Sequence, residues 1–270
     1  MTHGGLAIAL RHGLADVVAA LRRNDLALTF GWYDVAHRYR RSRVGAFWLT
    51  INMGVLIGTI GLVFGTLFRS PMGEFLPYVT VGPIVWGFLQ TTINEGCNGF
   101  IAADGIILQV RMPLFTHLLR ILYRNLAILA HNVLILPVVL LVVWKPLTPT
   151  ALLAVPGFAL LLVNVAWMTL VLAVVCARFR DMAQVMQNVL QVLFYLTPII
   201  WSADTLPDRV GSTLVQLNPF FHLMSLVRTP VLGGMPASAS WLVVVAMATL
   251  GWAFALWFYG RYRTRVPYWL

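Results

Sequence analysis

The sequence predicts an all-α integral membrane protein with six transmembrane helices. An amphipathic helix precedes the first span, short helices lie on the cytoplasmic side, and short re-entrant helices lie on the outer face between spans five and six. Three observations carry this expectation. The 270 residues are 60% apolar and only 10% charged, far from the balance of a soluble chain. The apolar residues gather into runs near 44–68, 77–95, 116–144, 151–176, 185–201 and 241–260, each close to the roughly 20 residues that a helix needs to cross hydrocarbon. All but one of the 19 basic residues are arginines, and they sit in the polar gaps between those runs.

Residues 1–43 read as a cytoplasmic interface segment, distinct from a transmembrane domain over 44–270. Leu6, Leu10, Leu14, Val17, Val18 and Leu21 recur at three- and four-residue spacing, with Arg11, Arg22 and Arg23 elsewhere on the helix. Such a helix is expected on the cytoplasmic leaflet. The stretch that follows runs from Asp25 through Trp32, Tyr33 and Asp34 to Arg38, Arg40, Arg41 and Arg43, and serves either as a juxtamembrane anchor or as a docking site for a partner protein. With no cleavable leader in this segment, the first span is expected to act as its own insertion signal.

In the first span Gly54, Gly58, Gly61 and Gly65 form a small-residue seam suited to close helix packing, while Asn52, Thr59 and Thr66 give a mildly polar face. The second span ends in Gln90, Thr91, Thr92 and Asn94. Between Gly105 and Pro113, two breakers of helix, a short helix is expected to lie across the membrane surface. On the fifth span Gln184, Gln187, Asn188, Gln191 and Tyr195 form a polar stripe, which is costly against lipid. It either bonds to neighbouring helices or lines a hydrated path. Residues 202–240, with Asp204, Pro207, Asp208, Asn218, Pro219, Pro230, Gly233, Gly234 and Pro236, are too broken to span, and non-helical backbone at that depth needs protein around it.

Six spans place both termini on one side. Fifteen basic residues fall on that side and only Arg69, Lys145, Arg209 and Arg228 on the other, so the termini are expected in the cytoplasm. The net charge of +10 then faces anionic lipid headgroups, and its dispersal along the membrane edge argues against nucleic acid, which calls for one clustered basic patch. Cys97 and Cys176 both fall at cytoplasmic span ends, where thiols stay reduced.

Enzyme chemistry finds little footing. The single lysine, Lys145, stands in a V-W-K-P context that no phosphate-cradling P-loop tolerates. His117 and His131 are about 20 Å apart along one helix, and no paired cysteines or H-E-x-x-H occur. His117, Arg120 and Arg124 read as a cytoplasmic anchoring face. Glu95 and Asp104 have no evident partner for acid and base work.

Four blocks carry a resemblance. DVAHRYRRSRVGAFW at 34–48, FRDMAQVMQNVLQVLFYLTPIIW at 179–201, NPF at 218–220 with Arg228 after it, and the ending RYRTRVPYWL resemble the corresponding stretches of type-2 ABC exporter permeases for polysaccharides, most closely those exporting O-antigen and lipopolysaccharide. INMGVL at 51–56 departs from the family, many of whose members have proline there. The resemblance implies a non-catalytic permease subunit in the bacterial inner membrane, working as a homodimer with two copies of a separate P-loop nucleotide-binding subunit. ATP and Mg would be bound by that partner, and this chain would hold no cofactor and no metal. It also implies a central path for a lipid-linked glycan, for which Trp86, Phe88, Gln187, Gln191, Phe194, Tyr195 and Trp201 are candidates, since aromatic rings stack on sugar faces without fixing their identity. The candidates for coupling to the ATPase are Asp104 and Arg111 in one segment and Phe179, Arg180 and Asp181 in the other. Two rival functions stay open: export of a small amphipathic molecule or lipo-oligosaccharide, and a membrane-embedded transferase acting on lipid-linked sugars.

Overall fold

The computed structural model describes residues 3–40, 44–45, 47–67, 69–202, 213 and 215–270. Every regular element among them is helical. In order these are α1 (His3–Arg22), α2 (Asn24–Tyr39), α3 (Phe47–Leu67), α4 (Met72–Cys97), α5 (Asp104–Gln109), α6 (Phe115–Val133), α7 (Ile135–Val142), α8 (Ala154–Arg178), α9 (Met182–Leu196), α10 (Pro219–Val231), α11 (Ser238–Tyr262) and α12 (Val266–Trp269). Short 3-10 turns at Ile101–Ala103 and Pro149–Leu153 lead into α5 and α8.

Four stretches are long and apolar enough to cross a bilayer: Phe47–Leu67, Phe115–Val142, Pro149–Arg178 and Ser238–Tyr262. The chain is thus a multi-pass membrane protein, but the six expected spans do not all reach that standard. The 26 residues of α4 suffice in length, yet its last two turns carry Gln90, Thr91, Thr92, Asn94 and Glu95. The 15 residues of α9 reach only about 22 Å, short of the ~30 Å hydrocarbon core. It ends at Leu196 because Pro198 pushes the residue before it into extended backbone, and Thr197 has φ −93° and ψ 133°.

Prolines also shape the third span. Leu134 interrupts it, because Pro137 cannot donate to the carbonyl of Val133 and its ring crowds that turn. At the bundle end away from the termini, α3 and α7 close on left-handed residues, Arg69 at φ 50° and Trp144 at φ 54°. The amide of Ser70 donates to the Gly65 carbonyl at 3.1 Å and that of Lys145 to the Leu140 carbonyl at 3.0 Å, so carbonyls that the helix ends would leave bare are satisfied.

At the centre stands α4, buried along most of its length against α8, α6, α3, α9 and α10. Helix α10 is lodged among α8, α11 and α4 with His222 through Arg228 buried. On the first span the seam divides. A Cβ on Gly61 or Gly65 would meet Leu76 or Met72 of α4, whereas Gly54 and Gly58 face nothing within 4 Å.

The N-terminal helices are built into the bundle. Helix α1 packs along the end of α11 and α2 along the first turns of α6, and Val17, Ala20 and Ala27 join the same hydrophobic core as the spans. The crossing of α1 and α11 is a backbone contact: a Cβ on Gly260 would overlap the Ala9 carbonyl, and one on Gly13 the Leu256 carbonyl. The apolar face expected to lie on lipid is divided here: Val17 is buried against protein, while Leu14 and Leu21 are exposed.

Candidate functional site

Helix α9 has the polar face that the sequence shows, and it has few neighbours. Leu190 is its one buried residue, and Gln184, Gln187, Asn188, Gln191 and Tyr195 are all exposed, Tyr195 at 62%. Among the described residues, packing against other helices does not account for the amides, whose one hydrogen bond is a long one within the stripe, from Gln184 Nε2 to Asn188 Oδ1 at 3.4 Å. Four amides and a phenol therefore stand on a helix whose adjoining flank, Val185, Val189 and Val192, is exposed as well.

The segment 197–201 beyond α9 is held on three sides. Asn218 caps α10 by accepting from the Phe220 amide at 3.0 Å, and its Nδ2 donates to Thr197 Oγ1 at 2.9 Å. The Tyr78 hydroxyl of α4 lies 3.0 Å from the Pro198 carbonyl and 2.8 Å from that of Trp201. Arg228 donates to the same Pro198 carbonyl, and its guanidinium lies over the Tyr78 ring at 4.1 Å from the centroid. Gly82 lets the strand-like segment touch α4, because a Cβ there would press on the Ile199 carbonyl. Arg228 is buried with no acidic partner within ion-pair distance among the described residues, so the Pro198 carbonyl and a ring face take the place of a counter-ion.

The candidate path residues divide by burial. Gln187, Gln191 and Tyr195 are exposed, while Phe194 and Trp201 are half-buried, with Trp201 Nε1 donating to the Tyr195 carbonyl at 3.2 Å. Trp86 is inside the subunit at 2% exposure, where its indole donates to Gln90 Oε1 at 2.9 Å and its ring meets Phe194 and Phe220. Phe88 is likewise buried, against Phe158.

A second cluster lies at the bundle end that carries the termini. Asp34 of α2 accepts from Arg120 Nε at 2.7 Å and Nη2 at 2.6 Å, a two-pronged match of guanidinium and carboxylate, and from Arg124 Nη1 at 3.1 Å. Arg124 also donates to Glu95 of α4 at 2.7 Å, and Asn125 donates to the same oxygen at 2.6 Å. Burial pulls the Asp34 carboxyl up, but the hydrogen bond and charge of Arg120, then those of Arg124, outweigh it and hold the group below its ordinary value. The anchoring face expected of His117, Arg120 and Arg124 is therefore internal: His117 is buried, and both arginines tie α6 to α2 and α4.

Of the other interface candidates, Arg40 is exposed at the end of α2, Arg38 lies in its last turn, and Arg41 falls outside the described residues, as do Asp204, Pro207 and Asp208. Asp104 and Arg111 are exposed at either end of the α5 segment, as are Phe179, Arg180 and Asp181 in the turn between α8 and α9, Phe179 at 55%. Helix α12 touches both α5 and α8, and the Arg180 guanidinium donates to the Leu270 carbonyl at 3.2 Å.

Three clusters escape a reading of the sequence. Glu95 looks unpaired until α6 brings Arg124 and Asn125 to it. Asp16 accepts from the amides of Leu114 and Phe115, at 3.4 and 3.1 Å, and from the Tyr259 hydroxyl at 2.6 Å, so it serves the bare N-terminus of α6 from another helix. Its one signal is a carboxylate on the buried face of α1, beside Ala9, Val17 and Ala20. Arg228 signals itself only as a basic residue on the sparsely basic side.

Comparison with known proteins gives these features a context. The family of ABC-2 type transporters matches residues 26–232. The chain is 26% identical over 202 residues to the O-antigen export system permease protein RfbA of Myxococcus xanthus, covering 71% of this chain and 74% of that protein. It is 24% identical over 227 residues to the polysialic acid transport protein KpsM of Escherichia coli, covering 80% and 85%. The RfbA permease of Klebsiella pneumoniae is 20% identical over 215 residues, covering 78% and 81%.

Proposed function

Because this chain belongs to the ABC-2 type transporter family, we propose that it is the transmembrane subunit of an ATP-driven exporter that moves lipid-linked, O-antigen-like polysaccharide across the bacterial inner membrane. The observation that carries the reading is the polar and aromatic face of α9, which is exposed and, among the described residues, hydrogen-bonds only within itself. The names of the relatives, two of O-antigen export and one of polysialic acid transport, support a glycan as cargo.

In this reading α4 and α9 complete six crossings, α9 aided by the held segment 197–201, and the termini are cytoplasmic. Two copies of the chain assemble with their α9 helices lining the path. Gln187, Gln191 and Tyr195 then face the glycan, with Phe194 and Trp201 behind them. Amides and rings of this kind bind polymer units that all offer similar hydroxyls and similar faces. Trp86 and Phe88 act from beneath, holding the aromatic support in place.

ATP and Mg belong to two copies of a separate P-loop nucleotide-binding subunit, docked on the face formed by Asp104 in α5 and Phe179, Arg180 and Asp181. The apolar side chains Ile106 and Leu108, exposed beside Asp104, suit such a protein contact. The test is reconstitution with that subunit. Hydrolysis is expected only from the complex, and Gln191→Leu or Tyr195→Leu is expected to cut glycan export while assembly and ATP hydrolysis persist. Hydrolysis by the chain alone, or full export by both variants, would refute the proposal.

A further inference from the structure

Where α1, the α5–α6 connection and the C-terminal end of α11 meet, the protein has an open groove of about 520 Å³. Arg111, Arg263 and Thr264 line it together with Asp16 and an apolar wall of Ile107, Val110, Met112, Pro113, Leu114 and Pro267. We propose that this groove is a binding site for the phosphate-bearing headgroup of an anionic membrane lipid, held by Arg111 and Arg263. The site is independent of the cargo that crosses the membrane.

Depth within the bilayer argues for a lipid. Arg263 directly follows the span Ser238–Tyr262 and Leu114 directly precedes the span Phe115–Val142, so the groove lies where two helices leave the hydrocarbon. The neighbouring helices carry side chains suited to that layer: Leu14 and Leu21, two turns apart on α1, and Leu28, Trp32 and Tyr33 on α2 are all exposed.

Charge gives the sign of the ligand. Arg111 has no hydrogen-bond or ion-pair partner among the described residues and is exposed. Arg263 gives one N–H to the His12 carbonyl at 2.9 Å and lies 3.9 Å from Asp16. Asp16 takes its closest bonds from two amides and a phenol, and its approach to Arg263 is through the same Nη1 that serves His12, so the Nε–Nη2 edge of Arg263 and the whole guanidinium of Arg111 remain beside a hydroxyl. Guanidinium matches phosphate oxygens in pairs, which suits a phosphodiester better than an uncharged headgroup. Free phosphate would make the same polar contacts but leave the apolar wall unused. A glycerol backbone and the first methylenes of a lipid cover it.

The experiment is lipid retention. The purified chain, inserted in phosphatidylcholine vesicles doped with phosphatidylglycerol, is extracted gently and its bound lipids are counted by mass spectrometry. Arg111→Gln is expected to lower the phosphatidylglycerol retained about fivefold, the equivalent of ~1 kcal/mol for one basic residue at an anionic surface. Arg111→Lys is expected to restore much of it. Arg22→Gln, which removes an exposed charge from α1 outside the groove, is expected to change nothing. Equal loss in both glutamine variants would reduce the effect to diffuse surface charge and overturn the site. Unchanged retention in Arg111→Gln would overturn it too, as would displacement of the lipid by inorganic phosphate. If Arg111→Gln abolishes binding of the nucleotide-binding subunit yet keeps the lipid, the groove is a protein dock and the proposal fails.

Discussion

Replacing Arg228 by Met tests whether the segment 197–201 is held as a movable end of α9 or is simply core. The substitution keeps most of the apolar stem and removes the guanidinium. Lost are one charge-assisted hydrogen bond to the Pro198 carbonyl, about 1.5–3 kcal/mol, and a desolvated cation–ring contact with Tyr78, about 2 kcal/mol. Opposing this is relief from burying a cation that no carboxylate among the described residues pairs, worth several kcal/mol. These terms nearly offset one another for global stability, so the melting midpoint is expected to move little. Locally they do not, because the segment loses a tether of about 2 kcal/mol, which raises the open population roughly 30-fold. Ile199 is fully buried and reports the opening directly. With Cys97 and Cys176 replaced by alanine, a cysteine at position 199 is expected to label slowly in the parent and many times faster with Arg228→Met. Tyr78→Phe, which strips the Pro198 and Trp201 carbonyls of one donor but keeps the ring, is expected to act in the same direction. Unchanged labelling in a folded Arg228→Met protein would refute the tether, and a collapse of global stability would show that Arg228 is an ordinary element of the core.

Three further outcomes follow from the geometry. Asp34→Asn is expected to cost about 2 kcal/mol, between a surface pair and a buried one, because the side chains of Asp34, Arg120 and Arg124 are 17–29% exposed. Since the folded carboxyl is held below its unfolded value, its contribution is complete above that value and fades as pH falls through the folded one. The wild type should therefore lose stability to acid below about pH 4 more steeply than Asp34→Asn, and a difference confined to pH 5–7 would refute the assignment. Gly260→Ala drives a Cβ into the Ala9 carbonyl and is expected to cost about 1–3 kcal/mol, read as protease cutting within α1, and an uncut α1 would contradict the crossing. Asp104→Lys is expected to weaken stimulation of the partner's hydrolysis without affecting insertion, and unaltered stimulation would remove α5 from the docking face.

The spans were legible because apolar runs of adequate length mean one thing in any context, and the observed helices 47–67, 154–178 and 238–262 sit close to the expected 44–68, 151–176 and 241–260. The limits of α4 and α9 were harder, since polar side chains erode the hydropathy signal in one and Thr197–Pro198 cuts the other short. Periodicity in α1 announced a face to be covered but carried no information about its cover, which proved to be α11. The polar stripe of α9 was visible residue by residue, and the fold adds that none of the described residues buries it. Charge pairs were illegible for a plainer reason. Asp34 and Arg120 are 86 residues apart, and Arg124 and Glu95 face one another only after α4 and α6 have packed.

The contact of α1 with α11 also sets a timetable. Asp16 and Tyr259 are 243 residues apart in the chain, so the seat of α1 does not exist until the final crossing has been made. At about 5–20 residues per second, the interval between the two is roughly 10 to 50 s. Throughout it α1 must wait with its alanine- and valine-lined face uncovered, and the adjoining membrane surface is the nearest shelter. The amphipathic pattern of α1 thus serves two hosts in succession, lipid during synthesis and α11 afterwards, and a nascent chain arrested before residue 256 should leave α1 on the membrane surface. Closure of that seat places Asp16 on the amides of Leu114 and Phe115, so the start of α6 is capped only in a chain whose last helix has arrived.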